Sequence, residues 1–218
     1  MTAKDRRDAR GLRSDAERNR SLIVRAAQAA FAEQGLDVSL EEVAARAGVG
    51  IATLYRRFPS RDDLIAASFE ARVAEYAKAA EDALAASDGW SGFSGYVEKI
   101  CAMQACDRGL NDVLTRTFPD ATGLERHRKR GYDLSVRLIE RAQAEGSLRA
   151  DFVPEDLVLL LMANAGVVHA TGDAAPNAWK RSLSLLLDGL RSEGATPLPP
   201  APTARQMVRA MRRLAARG

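Results

Sequence analysis

The chain has 218 residues, of which 46% are hydrophobic and 28% are charged, and its formal net charge is +3. These proportions are those of a soluble globular protein that is large enough to bury a substantial core. Because the N-terminus is charged and no segment approaches the ~18 uninterrupted apolar residues of a membrane span, the sequence predicts no signal peptide, no membrane anchor and a cytoplasmic location.

The cysteines and histidines argue against a disulfide and against a metal site. Cys101 and Cys106 lie in one predicted helix at a spacing that keeps their α-carbons apart and on different faces, so we expect two small buried hydrophobes. The two histidines, His127 and His169, have no carboxylate partner at a metal-ligand spacing. We therefore expect neither a metal nor a cofactor.

The N-terminal region is predicted to be an arm followed by a helix. Residues 1–13 are polar and alternate in charge, which predicts a flexible basic arm that carries Lys4, Arg6, Arg7, Arg10 and Arg13. Ser14 and Glu17 form a capping-box pattern, and the helix that follows ends at Gly35. Its apolar face consists of Leu22, Ile23, Ala26, Ala27, Ala30 and Phe31.

Two short helices joined by a tight turn are predicted over residues 39–61. Ser39, three residues before a glutamate, begins a second capping-box pattern, and Gly48 supplies the left-handed residue that closes the first helix. The second helix covers residues 51–58, because Pro59 disfavours helical geometry in the residue before it. Helices of about two turns bury no core alone, and such a pair commonly places its second helix in the DNA major groove.

The sequence of residues 22–64 indicates which kind of helix-turn-helix this is. The segment contains the runs AAQAAFAEQG, VSLEEVAARAGV and TLYRRFPSRDDL in this order. With these runs, the three-helix spacing and the glycine turn, it resembles the DNA-binding domain of the TetR family of bacterial transcription regulators. The sequence departs from the family pattern at Gly50, where the family often has serine as the cap of the recognition helix. Glycine is acceptable as a cap, but it lacks the hydroxyl with which serine could reach a phosphate. The resemblance implies an all-α protein with an N-terminal three-helix DNA-binding domain and a C-terminal helical bundle for ligand binding and dimerisation.

Three longer segments follow the helix-turn-helix. Apolar residues at helical spacing predict helices from residue 60 to about 86, from about 91 to 106, and from 124 to 145. We interpret residues 107–123 as irregular, with short helical turns around residues 110–115. In the third helix, Tyr132 is among the side chains expected to face inward.

The last two large helices are unusually apolar. Pro154 is placed to open the first, which is apolar on every side over residues 157–162, so it needs cover on more than one side. That cover is either the rest of a large monomer or a second subunit, and the second subunit is favoured because the family pairs its last two helices in a four-helix dimer interface. The expected interface residues are Leu157, Leu160, Leu161, Val168, Trp179, Leu183, Leu186, Leu187 and Leu190.

Residues 195–218 form a proline-rich linker and a basic amphipathic tail that contains five arginines and no acidic residue. Met207, Val208, Met211 and Leu214 lie on one side of the predicted tail helix. We interpret it as a loosely docked extension, with a contact to DNA or to a membrane surface, or disorder, as the alternatives. The resemblance gives no guidance here, because many members of the family lack such a tail.

The resemblance also implies roles in DNA binding, for a homodimer whose two recognition helices enter successive major grooves of a palindromic operator. The positions that match phosphate contacts are Ser39, Thr53, Tyr55, Arg57 and Arg61. The groove-facing positions are Ile51, Ala52 and Arg56, of which Arg56 can pair with a guanine edge, and Gly50 allows close approach of the backbone. The basic arm either stays solvated or adds minor-groove or phosphate contacts.

In this family a small molecule bound by the bundle shifts the recognition helices out of register with the operator. Candidates for the pocket are aromatic, polarisable or polar residues in apolar segments, with ordinary core packing as the alternative for each: Trp90, Phe93, Met103, Phe118, Tyr132, Asn164 and His169. Asn164 and His169 are the strongest, since a polar group on an apolar helix needs a partner.

Two other classes of function compete with a ligand-responsive repressor. One is a structural DNA-binding protein without an effector, and the other is a small-molecule-binding enzyme built on a helical bundle. The enzyme is disfavoured because the sequence has no Ser-His-Asp set, no Glu-x-x-His motif and no glycine-rich phosphate loop. The predicted domains are the arm at 1–13, the DNA-binding domain at 14–59, the ligand-binding and dimerisation domain at 60–194, and the tail at 195–218.

Overall fold

The computed structural model describes residues 3–116, 118 and 121–215, and within them the side chains from residue 16 to residue 213. This part of the chain is all-α, as predicted, with ten helices joined by short loops and one 3₁₀ turn at Gly172–Ala174. The helices are α1 (Ala3–Gln34), α2 (Leu40–Ala47), α3 (Ile51–Arg57), α4 (Arg61–Ala83), α5 (Gly89–Cys106), α6 (Arg108–Thr115), α7 (Thr122–Ala144), α8 (Pro154–Thr171), α9 (Ala178–Gly189) and α10 (Ala204–Ala215).

Helices α1 to α3 form the N-terminal unit around a fully buried cluster of Ile23, Phe31, Val43 and Leu54. The turn signals between α2 and α3 act as predicted: Gly48 adopts φ 67°, in the left-handed region that glycine enters without a steric penalty. α3 is capped by the backbone of residue 50 without a side-chain hydrogen bond, and it ends one residue earlier than predicted.

The cap of α2 is half of the predicted capping box. The hydroxyl of Ser39 accepts a hydrogen bond from the N–H of Glu42 at 3.1 Å. The Glu42 carboxylate does not return to the cap, because it accepts hydrogen bonds from Gln34 at 2.6 Å and from Arg46 at 2.8 Å. The start of α2 therefore rests on Ser39 alone, and Glu42 instead joins α2 to the end of α1.

The predicted start of the first helix is wrong. α1 begins at Ala3, so Ser14 lies inside the helix and residues 3–13 continue it instead of forming a flexible arm. This stretch contains no proline and is rich in alanine and arginine, and its one glycine costs a helix only about 1 kcal/mol. Residues 1–2 and the side chains of the five basic residues of the predicted arm lie outside the part of the chain that the structure describes.

α4 and α7 lie side by side and form the centre of the C-terminal bundle. α4 starts at a complete capping box, in which the Ser60 hydroxyl accepts from the Asp63 N–H at 3.1 Å and the Ser60 N–H donates to the Asp63 carboxylate at 3.0 Å. Gly131 of α7 allows the close approach, since a Cβ there would lie 2.4 Å from the ring of Tyr76 on α4. The buried residues of the bundle and of the N-terminal unit form one continuous hydrophobic cluster.

α6 is a regular eight-residue helix, in a segment that the sequence predicted to be irregular with short helical turns around residues 110–115. Asp107 caps it by accepting a hydrogen bond from the N–H of Leu110 at 2.9 Å, a signal that the sequence analysis did not use. Leu110 and Val113 are fully buried, and Gly109 lies directly against α1. Burial against a distant helix stabilises a segment whose local pattern is weak.

Two expectations about individual side chains also fail. Tyr132 is 42% exposed instead of facing inward, because its face of α7 borders a cavity rather than the packed core. Cys101 is buried but Cys106, at the end of α5, is exposed, and both thiols are free.

α8 and α9 carry exposed apolar side chains, although most of the expected interface leucines are not among them. Leu157, Leu160, Leu161, Leu183 and Leu187 are at most 7% exposed and pack within the chain, so they offer little surface to a partner, and their assignment to a dimer interface stays a prediction. Val168, Trp179 and Leu190 are half-buried, and Leu186 is 40% exposed. Leu159 and Leu185, at 42% and 63%, are the most exposed large apolar residues of α8 and α9, and neither was among the predicted interface residues.

The segment Pro154–Ala174 is long and apolar enough to cross a membrane when judged by length and composition alone, and 22% of it is buried inside the chain. The buried residues of this segment are Leu157, Leu160, Leu161 and Asn164, and the others are half-buried or exposed within the single chain.

Candidate DNA interface and buried cavity

The outer face of α3 is exposed to solvent in the part of the chain that the structure describes. Leu54 and Phe58 point into the core at 0% and 2% exposure, as expected, and this fixes the opposite face outward. That face presents Tyr55, which is 47% exposed, together with Arg56 and Ala52. Apart from its two neighbours in the chain, no described residue has an atom within 4 Å of the position that a Cβ would take on Gly50, so the backbone at the start of α3 is open to a close approach.

Most of the other residues that were predicted to contact DNA are partly buried or bound within the chain. Thr53 and Arg57 are half-buried, and Ser39 is exposed beside them. Ile51, which was predicted to face the groove, packs partly against the core. Arg61 differs most from the prediction, because its guanidinium donates to the carbonyls of Leu36 and Val38 at 2.6 and 2.8 Å and so holds the loop between α1 and α2.

The N-terminal unit carries two further basic residues whose charges bear on DNA binding, Arg20 and Arg46. Arg20 of α1 lies over the ring of Phe58, with its guanidinium carbon 5.2 Å from the ring centroid, and places an exposed positive charge beside the end of α3. Arg46 of α2 is paired with Glu33 at 2.7 Å and with Glu42 at 2.8 Å, so its charge is compensated within the chain. Sequence analysis missed Arg20, because the contact joins residues far apart in the chain.

A cavity of about 400 Å³ lies in the C-terminal bundle, between α4, α6, α7, α8 and α10. Its walls are mostly apolar and include side chains from all five helices. They are Tyr76, Leu114, Tyr132, Leu157, Val158, Leu161, Met207, Val208 and Met211, with Arg128, Lys129, Ser135 and Glu155 as the polar and charged members. Both the size and the lining are typical of a pocket for a small organic molecule.

Buried polar groups lie at one side of this cavity. Tyr76 stacks near Tyr96, with ring centroids 5.7 Å apart, and the Tyr96 hydroxyl has no well-aligned hydrogen-bond partner among the described residues. Burial raises the pKa of Tyr96 well above its ordinary value, so the hydroxyl stays neutral. Burial also lowers the pKa of Arg128, whose guanidinium donates to the carbonyl of Val113 at 2.8 Å and to that of Arg116.

Among the seven residues predicted for a ligand pocket, only Tyr132 lines this cavity. Phe93 is buried against Phe152 with ring centroids 5.5 Å apart, Met103 and Trp90 pack against the core, and Phe118 is buried. Asn164 is buried and donates to Gln104 at 2.9 Å, while exposed His169 borders a smaller cavity of about 170 Å³. The other six predicted residues therefore lie outside the 400 Å³ cavity, because residue type does not tell which core residues border empty space.

α6 connects the cavity with the DNA-binding unit. At its end, Arg116 makes a two-pronged ion pair with Asp37, at 2.7 and 3.0 Å, and this pair holds the pKa of Asp37 below its usual value. Asp112 accepts a hydrogen bond from the N–H of Leu36 at 2.9 Å, and burial raises the pKa of its carboxyl. Because Arg128 binds the same end of α6, a continuous set of contacts runs from the cavity wall to the loop before α2.

Comparison with known proteins agrees with these features. Residues 23–68 match the family model described as bacterial regulatory proteins of the TetR family, and residues 90–192 match the C-terminal domain of SbtR-like transcriptional regulators. No curated protein sequence gives a significant match.

Several solved structures share the fold. The TetR transcriptional regulator SCO0520 from Streptomyces coelicolor is 29% identical, with 80% of this chain and 99% of that chain covered and a TM-score of 0.51. The regulator FadR from Bacillus subtilis, solved with stearoyl-CoA, is 16% identical, with 78% and 98% covered and a TM-score of 0.57. RolR, solved with resorcinol, is 16% identical, with 87% and 99% covered and a TM-score of 0.52.

The first family model covers the helix-turn-helix and its scaffold helix, and the second covers the bundle that holds most of the cavity walls. The regulators of this family are not enzymes. The chain therefore belongs to the TetR family of transcription regulators.

Proposed function

We propose that the protein is a homodimeric, cytoplasmic repressor that binds a palindromic operator and is released from it by a small molecule. The observation that carries this proposal is the set of contacts through α6, which links a cavity of ligand size to the loop that precedes the helix-turn-helix. A change in the cavity wall that moves α6 would reach the DNA-binding unit through these contacts, as release by a ligand requires.

The exposed face of α3 supports the DNA-binding roles. Arg56 is exposed and is the long polar side chain of this face that can make two hydrogen bonds to a guanine edge, so we assign it to base recognition. Tyr55 and Arg57 flank it, and we assign them to phosphate contacts that set the register of the helix on DNA. Arg20, beside the end of α3, is a further candidate for a phosphate contact.

The apolar surface of α8 and α9 supports the dimer. Leu159, Leu185 and Leu186 are 40–63% exposed on these two helices, and a second copy of the same surface would cover them. Leu185→Glu should therefore shift the protein from dimer to monomer in light scattering. Leu198→Glu, at a residue of similar size that is 45% exposed in the linker, is the matched control and should leave the dimer intact.

The cavity supports a mostly apolar effector. The part of its lining that α4, α6, α7 and α8 supply is dominated by leucine, valine and tyrosine side chains, and the phenol of Tyr132 offers a polar contact. Two proteins of similar fold were solved with resorcinol and with stearoyl-CoA, which are an aromatic and an acyl compound. For the molecule to act as an effector, it must bind the conformation that does not bind DNA more tightly than the one that does.

Two measurements test the proposal together. A gel shift with the promoter region of the protein's own gene should show a specific complex, and failure to bind any fragment of that region argues against a local operator. A thermal shift screen of apolar metabolites should then find compounds that raise the melting temperature and dissociate the complex. Compounds that stabilise the protein without affecting DNA binding would contradict the role of α6.

A further inference from the structure

The C-terminal helix α10 is an addition to the family domain that packs onto the cavity. The family model for the C-terminal domain ends at residue 192, whereas α10 covers Ala204–Ala215. Its start is fixed by a capping pair, in which the Thr203 N–H donates to the Gln206 side chain at 2.8 Å and the Gln206 N–H donates to the Thr203 hydroxyl at 3.3 Å. The structure therefore has a defined helix here, as a docked extension.

The two faces of α10 differ sharply. Met207 and Met211, one turn apart, are 6% and 8% exposed and lie in the cavity wall opposite Leu157 and Leu161 of α8. The other face carries Arg205, Arg209, Arg212 and Arg213, which are exposed and form no ion pair with any described residue. Apolar contact at the cavity is thus the main interaction that holds α10 in place.

The linker before α10 is attached to the bundle at the loop between α7 and α8, a few residues before Pro154 and Glu155 of the cavity wall. Arg149, with a side chain that is 7% exposed, pairs with Asp151 at 2.6 Å and donates to the carbonyl of Thr196. Asp151 in turn accepts a hydrogen bond from the N–H of Leu198 at 3.1 Å. Because the linker is held at residues 196 and 198, α10 stays close to the cavity even when its methionines leave it.

We propose that α10 is a tethered lid that occupies the mouth of the effector cavity and competes with apolar ligands for it. A helix of this length is marginal in water, so it depends on the two methionines for its position. Methionine side chains are flexible and fill irregular apolar space, which suits them to stand in for part of an apolar ligand and to be displaced by it. The regulatory role of the lid rests on the proposed function, whereas its closure of the cavity does not.

The test uses the neutral dye Nile red as an apolar probe of the cavity, with the full-length protein. The variant Met207→Asp/Met211→Asp should open the lid and lower the apparent dissociation constant of the dye by about 10- to 100-fold, because the closed state no longer competes. The control Arg209→Asp/Arg212→Asp changes the same number of residues to aspartate on the exposed face of α10 and should change dye affinity less than about twofold.

A second variant guards against an effect of the new charges themselves. A chain that ends at Thr203 lacks the lid and should bind the dye as tightly as the methionine variant does. Circular dichroism and the melting temperature check that each variant remains folded. Dye affinity that is unchanged or weaker in both the methionine variant and the shortened chain would overturn the lid.

DNA binding separates the lid from the proposed function. If the full-length protein binds operator DNA and the dye results are as expected, an apolar effector should release DNA at lower concentration from the shortened chain than from the full chain. Equal effector concentrations for both chains would overturn the regulatory role of the lid. A full-length protein that binds no DNA would refute the proposed function, and the dye measurements would still decide whether α10 closes the cavity.

Discussion

Gly109 should be one of the least replaceable residues of the protein, although it lies in neither the DNA interface nor the cavity. It is the second residue of α6 and sits where α6 crosses α1 and α4. A Cβ at this position would lie 2.6 Å from Cζ of Phe69, 2.8 Å from Cβ of Phe31 and 2.9 Å from the Phe31 carbonyl oxygen. The first contact can relax by a ring movement, but the backbone oxygen cannot move without α1.

The expected cost of Gly109→Ala follows from two opposed effects. Overpacking a close contact costs about 1–3 kcal/mol, while replacing glycine with alanine inside a helix gains up to about 1 kcal/mol. The gain is smaller in the first turn, so the variant should be about 1–2 kcal/mol less stable than the wild type. For a chain of this size, that lowers the melting temperature by roughly 2–8 °C.

Gly95→Ala is the matched control. Gly95 is exposed on α5, and no atom lies within 4 Å of its would-be Cβ. The same chemical change should therefore stabilise the protein by up to about 1 kcal/mol there. Urea unfolding followed by circular dichroism measures both. If Gly109→Ala is as stable as Gly95→Ala, the close packing of α6 on the DNA-binding unit is refuted.

Three further predictions concern DNA and pH. Arg57→Ala and Tyr55→Phe should weaken binding to operator and to random DNA alike, whereas Arg56→Ala should change the bases that binding-site selection recovers; an unchanged preference would contradict the base contact. If the dimer makes ~6–10 phosphate contacts, its affinity should fall by about 10³- to 10⁵-fold between 50 and 200 mM salt, and a flat salt dependence would contradict DNA binding. The Arg149 guanidinium holds the pKa of Asp151 at about 2, against 3.8 unperturbed, so the stability from this pair is full above pH 3.8 and is lost as the pH falls towards 2. Asp151→Asn should thus melt below the wild type at pH 7 and together with it near pH 2, and a gap that persists at pH 2 would contradict the ion pair.

The helix-turn-helix could be predicted because its signals are local. Ser39, Gly48 and Ser60 each act through hydrogen bonds or backbone angles within a few residues, so each can be recognised from the sequence. The prediction failed where a helix depends on distant packing, as in α6, or where a local cap competes with a strong helix on its other side, as at Ser14.

The exposed face of α3 could be predicted from the sequence, whereas the cavity could not. Helical periodicity and the two buried positions, Leu54 and Phe58, predict which residues of α3 face outward. The contact of Arg61, the first residue of α4, with the loop before α2 could not be predicted in this way. The cavity could not be predicted, since both a packed side chain and one that borders empty space are apolar and buried. Of the predicted pocket residues Tyr132 lines the cavity, and Arg128, which was not among the candidates, lines it too.

The sequence by itself determined the all-α class, the order of the helices, the position of the helix-turn-helix and the family to which the chain belongs. Only the tertiary structure decided that Asp112 and Arg116 bind the loop before α2, that Leu157 and Leu161 line a cavity, and that Met207 and Met211 lie in its wall. The physical reason is the range of the interactions. Caps, turns and periodicity depend on near neighbours in the chain, whereas the site is made of contacts between residues that only folding brings together.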